Sequence, residues 1–275
     1  MLNTLILALL AQPTVLVRQG EVDVRALFVE CAAKNDGAGC TKLWREHPYE
    51  VLGTIDADLE GSLAAWEKDG AKADQAQILQ MHKRALWGAK LASEAFATPI
   101  FLDYASSFVG WNDEQKANFR QGQAAHGQAR AALKKGDHAA AATHARSCAD
   151  LALPLGDWWG YSMGLAAEGL ALAASNQDAQ AASQLSKASI LYRDQGLIGA
   201  QRECVAALVS VCERSKRPER ARAAAREWLA LTQTMGDQKG MPQAIEALAR
   251  CEEACGDTQA AKDLRAKQAA GGKAK

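Results

Sequence analysis

From about residue 113 onward, apolar side chains recur in steps of three and four, the spacing of one face of an α-helix. Met163, Leu165, Leu170 and Leu172 mark one such stretch over 158–175, and Ala182, Leu185, Ala188 and Leu191 a second over 178–194. Val205, Leu208 and Val211 repeat the layout over 197–215. Ala224, Trp228 and Leu231 do so again over 219–234. Strand-like alternation is hard to find and prolines number only six, so the pattern predicts an all-α chain.

The breaks between these stretches are themselves periodic. Gly156, Gly196 and Gly236 lie 40 residues apart, and Ala141, Ala181, Ala221 and Ala261 form a second series with the same step. Four residues before each alanine stands a turn signal: Asp137 after Gly136, Gln177 after Asn176, Arg217 before Pro218, and Asp257 after Gly256. Two interlocked series predict one unit repeated, made of helix, short turn, helix and glycine-bearing turn. Glycine suits a helix end that needs positive φ, and Asp157 and Asp237 are placed to cap the next helix. The alanines let paired helices approach closely. A single pair cannot bury its apolar face alone, so the units are expected to stack as an α-α superhelical solenoid over 113–268.

These residues resemble the tetratricopeptide repeat superfamily in its longer form of about 40 residues, as in LGN/rapsyn-like arrays. With Ala181 at the family's small position in the second helix, Gly169 falls on the small position of the first, and Leu185 and Ala188 on the large and small positions beyond it. The equivalent places hold Ala129, Ala141, Ala145 and Cys148 in the unit before. After it they hold Val209, Ala221, Ala225 and Trp228, then Ala249, Ala261, Arg265 and Gln268. The family's aromatic in the first helix is replaced by Ala132, Leu172, Cys212 and Glu252, and its terminal proline is matched only roughly, by Pro154.

Residues 20–112 read as a helical N-terminal region without visible register. Helices are expected near 21–34, 49–69, 73–97 and 99–109, with Pro48 and Pro99 at starts. The last residues, 269–275, read as a flexible tail. The first 19 form a separate segment. Met1 to Ala11 is apolar and Arg18 is the first charge, which suits the centre of an export signal and an exported or periplasmic protein. An N-terminal helix packed on the first pair is the alternative, since no basic residue precedes the run.

Charge adds little direction. Lys plus Arg and Asp plus Glu both number 32; residues 1–110 carry 10 basic against 14 acidic, and 111–275 carry 22 against 18. No run of about 18 apolar residues predicts a membrane span, and no balance of charge points to nucleic acid. The basic run Arg214 to Arg226 is diluted by Glu213, Glu219 and Glu227, and reads as a solvated surface.

Of seven cysteines, Cys31 and Cys40 flank a Gly-containing turn and are placed for a disulfide if the chain is exported; the other five read as buried thiols. The histidines, His47, His82, His126, His138 and His144, show no metal spacing. Asp56, Asp58 and Glu60 form an acidic phrase that reads as a solvated turn before it reads as a cation site. Neither a phosphate loop nor a nucleophile elbow occurs. No catalytic residue, metal site or cofactor is expected, and a hydrolase would require a pocket joining His47 or His82 to the acidic phrase.

The resemblance implies a peptide-binding concave face lined by the first helix of each unit. Its register places Gln123, His126, Arg130 and Lys134 at a basic end, then Met163 and Leu170. Glu203, Glu213, Glu246 and Arg250 come next, with Trp158 and Trp159 as candidate anchors. The expectation is a non-catalytic protein–protein interaction scaffold that holds a partner segment. The alternative is a regulatory or sensor subunit controlling an effector enzyme.

Overall fold

A computed structural model describes residues 22–272, among which there are thirteen α-helices and no strand. The 1–19 segment therefore lies outside the described residues. Five helices make the N-terminal region: α1 (Val24–Lys34), α2 (Gly37–Glu46), α3 (Val51–Asp69), α4 (Gln75–Phe96) and α5 (Ile100–Gly110). Eight more form four helix pairs: α6 (Asp113–Lys135) with α7 (His138–Ala152), α8 (Trp158–Ala174) with α9 (Asp178–Asp194), α10 (Ile198–Arg214) with α11 (Pro218–Thr234), and α12 (Met241–Ala254) with α13 (Thr258–Gly272). The second helices start at His138, Asp178, Pro218 and Thr258, 40 residues apart each time. First helices pack along one another in a row, and α7, α9 and α11 each pack between two of them, which is the solenoid arrangement.

The turns explain the period. At the end of each first helix, the left-handed residues are Gly136, Asn176, Lys216 and Gly256. At the next residue an amide reaches back across the helix end, as in Asp137 N–H to Ala132 O at 3.0 Å and Arg217 N–H to Cys212 O at 2.9 Å. Gly156, Gly196 and Gly236 end the second helices in the same conformation, with Asp157 N–H to Ala152 O at 3.1 Å repeating the bond. Each is a Schellman motif, which satisfies carbonyls that the helix end would otherwise leave open. Asp137 and Asp157 then cap α7 and α8 through Ala140 N–H and Gly160 N–H. Asp237 instead accepts from Lys239 and Gly240 N–H, so its turn runs on and α12 begins at Met241.

The small residues hold the pairs together. Ala141, Ala181, Ala221 and Ala261 are all buried. A Cβ added to Gly169 would lie 2.7 Å from Leu185 Cγ, and one on Gly164 2.7 Å from the Ala149 amide, so α8 needs glycine against both neighbours. Buried Glu168 accepts from Arg146 of α7 at 2.6 Å and from Gln184 of α9 at 2.7 Å, tying three helices. Buried Glu252 of α12 receives Arg226 of α11 at 2.6 Å in the corresponding manner.

The N-terminal helices share their core with the first units. Val51, Ile55, Tyr104, Phe108, Phe119 and Leu155 belong to one apolar cluster, and Trp158, Trp159 and Leu197 pack against it. Trp111, at the join, donates its indole N–H to Leu155 O at 2.9 Å. Two of the periodic glycines meet this region. A Cβ on Gly156 would lie 2.6 Å from Ser107 Oγ, and one on Gly196 2.7 Å from Pro48 O, whereas Gly236 faces open space.

Two expectations need correction. The 31–40 stretch is not only a turn, because α2 starts at Gly37, where Asp36 caps it through Gly39 N–H at 2.8 Å. Glycines in a first turn hid that helix, and its apolar face, Cys40, Leu43 and Trp44, is buried. The expected tail begins inside a helix, since α13 runs to Gly272.

Candidate functional site

The three acids of the 56–60 phrase lie on one helix, α3, and helical geometry separates them. Asp56 and Glu60 are four apart and share a face; Asp58 points elsewhere. Asp58 is fully buried, hydrogen-bonded by Arg25 and by Arg84, whose Nε lies 2.7 Å away. Burial alone would raise its pKa, but the two guanidiniums outweigh it and hold the carboxyl below its ordinary range. Asp58 is thus a structural link between α1, α3 and α4.

Asp56 and Glu60 face a cleft of about 330 Å³ where α3 and α5 meet α6, α7 and the start of α8. Tyr104 of α5 donates its hydroxyl to Asp56 Oδ1 at 2.5 Å. Glu60 accepts from Arg120 at 2.8 Å and from Gln123 at 2.6 Å, and Arg120 also holds Glu67 at 2.6 Å. Asp157, 5% exposed, enters from the turn before α8. The walls are Phe119, His126 and Arg130 of α6, Cys148 of α7, and Trp159 and Met163 of α8.

The cleft is unusual in its proton affinities. Burial, partly offset by the Tyr104 hydrogen bond and reinforced by Glu60 and Asp157, pushes Asp56 up to about 7. Burial also lifts Asp157 to about 6, with the Gly160 amide opposing and Glu60 adding. His126 is driven down to about 4 by burial and by neighbouring Arg130, so it is neutral at pH 7.

Of the residues placed by register, Gln123, His126, Arg130 and Met163 come together here, with Trp159 beside them. Lys134 is exposed near the end of α6, outside the cleft lining. Trp158 is half-buried, packed into the shared core edge-on to Tyr161, and its carbonyl accepts from Gln195 at 2.7 Å. Leu170 is a correction: it is 3% exposed within the core of the α8–α10 units and offers no surface, because α8 is covered on nearly every side.

The expected acidic stretch is largely consumed within the array. Glu213 pairs with Arg250 at 3.2 Å, and Glu246 with Arg265 at 2.9 Å, so these groups fasten α10 to α12 and α12 to α13. Glu203 is half-buried, and burial raises it to about 7 against a partial offset from Arg202. Cys31 and Cys40 are free thiols, as are the other five cysteines, so the expected disulfide is absent from the structure. Cys40 is wholly buried, and burial pushes its thiol up to about 12, far from the reactive thiolate range.

His82 does not join the acidic phrase. Its Nε2 lies 2.9 Å from Ser62 Oγ, and Ser62 donates its proton to Leu59 O at 2.7 Å, so the imidazole serves as donor there. His47 ends α2. Among the described residues no three His, Cys, Asp or Glu side chains gather as metal ligands, and no helix is long and apolar enough to cross a membrane.

Register reasoning missed Tyr104, Asp56, Glu60 and Asp157 as cleft residues. Three of them, Tyr104, Asp56 and Glu60, come from the N-terminal region, and only its docking brings them in. The acidic phrase was the visible signal, without its geometry.

No family model matches the chain, and no curated protein matches it. Among solved structures it is similar to the crystal structure of BtubC (BKLC) from P. vanneervenii, with a TM-score of 0.46 and 15% sequence identity, over 90% of this chain and 91% of that one.

Proposed function

We propose that the protein is a non-catalytic interaction scaffold, built on tetratricopeptide-like repeats, that captures a segment of a partner protein. The capture site is the N-terminal end of the array, in the cleft between α3, α5, α6 and α8. The observation that carries this reading is the cleft itself, where polar groups converge between aromatic and thioether walls. Further along the array, Glu213, Glu246 and Arg250 on the same register are engaged in ion pairs between helices, which leaves the N-terminal end as the better receiver. The mechanism is capture by a preformed surface, since the cleft is set between packed helices and needs no folding to appear.

Gly127 supplies the test. It lines the cleft on α6, and a Cβ added there meets nothing within 4 Å. Gly127→Trp therefore starts a bulky side chain at the cleft wall from a Cβ that clashes with nothing. Gly53→Trp, also in open space, is the control. Affinity capture from the native cell should enrich a partner on wild type and on Gly53→Trp and lose it on Gly127→Trp. Retention on Gly127→Trp places the binding surface elsewhere.

A further inference from the structure

We infer that the cleft takes a basic side chain, a lysine ammonium or an arginine guanidinium, from the partner segment, with Asp56 and Asp157 as its counter-charges and Trp159 and Met163 along its stem. The inference rests on the partner-capture reading and adds the chemistry of what is captured.

Three carboxylates, two from α3 and one from the turn before α8, meet at the cleft, and they are matched unequally. Glu60 has Arg120 in direct contact. Asp56 receives the neutral phenol of Tyr104 on Oδ1, and Arg120 is the weakest of the influences on its proton affinity. Asp157 receives backbone amides. Burying carboxylates without a closely paired cation costs free energy, and the raised proton affinities of both groups express that cost. An incoming ammonium or guanidinium would reverse it with charge-assisted hydrogen bonds.

The walls suit the remainder of such a side chain. Trp159 presents an aromatic surface and Met163 an adaptable thioether, one for a cation or its alkyl stem and the other for the stem. The volume, about 330 Å³, is at the small end of the range for ligand pockets, roughly 300–1,000 Å³, and fits one side chain rather than a whole helix. On α6, His126 is neutral and does not oppose a cation, Arg120 is engaged by Glu60 and Glu67, and Arg130 lines the cleft about one helical turn beyond His126.

The groups that face the two acids are Tyr104 of α5, Glu60 of α3, Arg120, His126 and Arg130 of α6, and Cys148 of α7, whose thiol burial and Asp157 keep protonated. Above pH 7 the acids are ionised and binding is strongest. As pH falls toward 5 they take up protons and a cation loses its counter-charges.

Calorimetry with synthetic Ala/Gly heptapeptides, differing only in a central Lys, Arg, norleucine or acetyl-lysine, tests the inference. The proteins are wild type and D56N/D157N. Asn keeps an acceptor for the Tyr104 hydroxyl and remains a good helix cap, and thermal melting checks that the variant folds. At pH 8 the Lys and Arg peptides should bind wild type about ten-fold or more tighter than the norleucine and acetyl-lysine peptides. That preference should disappear in D56N/D157N and at pH 5. Equal binding of Lys and norleucine peptides, or a preference that survives D56N/D157N, overturns the inference. A parallel titration with cadaverine separates it from the partner-capture reading. Cadaverine binding that D56N/D157N abolishes, with no peptide bound, keeps the cation site and removes the partner segment. If neither probe binds, both fall.

Discussion

Tyr104 donates its hydroxyl to Asp56 at 2.5 Å, joining α5 to α3 at the floor of the cleft. The phenol is buried and its own pKa is raised well above the ordinary value, first by burial and then by Asp56, so the pair carries at most one negative charge. A neutral donor cannot balance an ionised carboxylate as a guanidinium does. The result is an acid that retains its proton to about pH 7 in the folded protein.

This acid makes the stability of the fold depend on pH. Because the folded pKa of Asp56 is raised, its favourable effect is fully present below the unfolded value near 4 and is lost as pH rises through 7. Asp56→Asn should therefore stabilise the protein at pH 8, by on the order of 2–4 kcal/mol. The gain should shrink by more than half by pH 5. Thermal melts of both proteins across this range measure it, and a gain that does not vary with pH would contradict the assignment.

Arg146 and Glu168 are unequal partners. The Glu168 side chain is 3% exposed and that of Arg146 59%, so removing the arginine strands a buried carboxylate, whereas removing the charge of Glu168 leaves a guanidinium that water can reach. Arg146→Met should cost about 2–3 kcal/mol and Glu168→Gln about 1 kcal/mol or less. Denaturant titration decides; equal costs would mean that burial of the Glu168 charge does not set the penalty.

Two helical glycines should respond with opposite sign to alanine. Gly164 faces the Ala149 amide and the Ala145 carbonyl, which would lie 2.7 and 2.8 Å from a new Cβ, and backbone cannot yield cheaply. Gly164→Ala should cost about 2 kcal/mol or more. Gly53→Ala, with nothing within 4 Å, should gain about 0.5–1 kcal/mol through helix propensity. The same denaturant titrations measure both, and a shift of the same sign at the two positions would contradict the packing argument.

Lys216 occupies the left-handed turn position that Gly136, Asn176 and Gly256 hold in the other units. A side chain there carries a steric penalty of about 1–2 kcal/mol, part of which is recovered from the lower entropy of its unfolded state. Lys216→Gly is expected to raise stability by about 0.5–1 kcal/mol in thermal melts. A loss would show that Lys216 makes a contact worth more than its strain.

The repeat was legible because it is local. Gly156, Gly196 and Gly236 satisfy turn geometry, and Ala141 through Ala261 satisfy helix contact, so each leaves its mark at a fixed interval. Lys216 fits the same geometry without the expected residue type, and only its neighbour Pro218 marked the turn. The cleft was half legible. Gln123, His126, Arg130 and Met163 came from register, but Tyr104 and Asp56 are 48 residues apart and meet through tertiary packing that carries no period. Leu170 was misplaced for a related reason. Helical spacing identifies a face without saying how many neighbours cover it, and α8 is enclosed by α7, α9, α6 and α10.

Hydrogen–deuterium exchange on the full chain, alone and with the captured partner, tests cleft binding most directly. Protection should concentrate on three stretches that line the cleft, 56–60, 118–130 and 157–163, with the inner helices α10 and α12 unchanged. Protection centred on α10 and α12, or spread evenly along the array, would contradict capture at the N-terminal end.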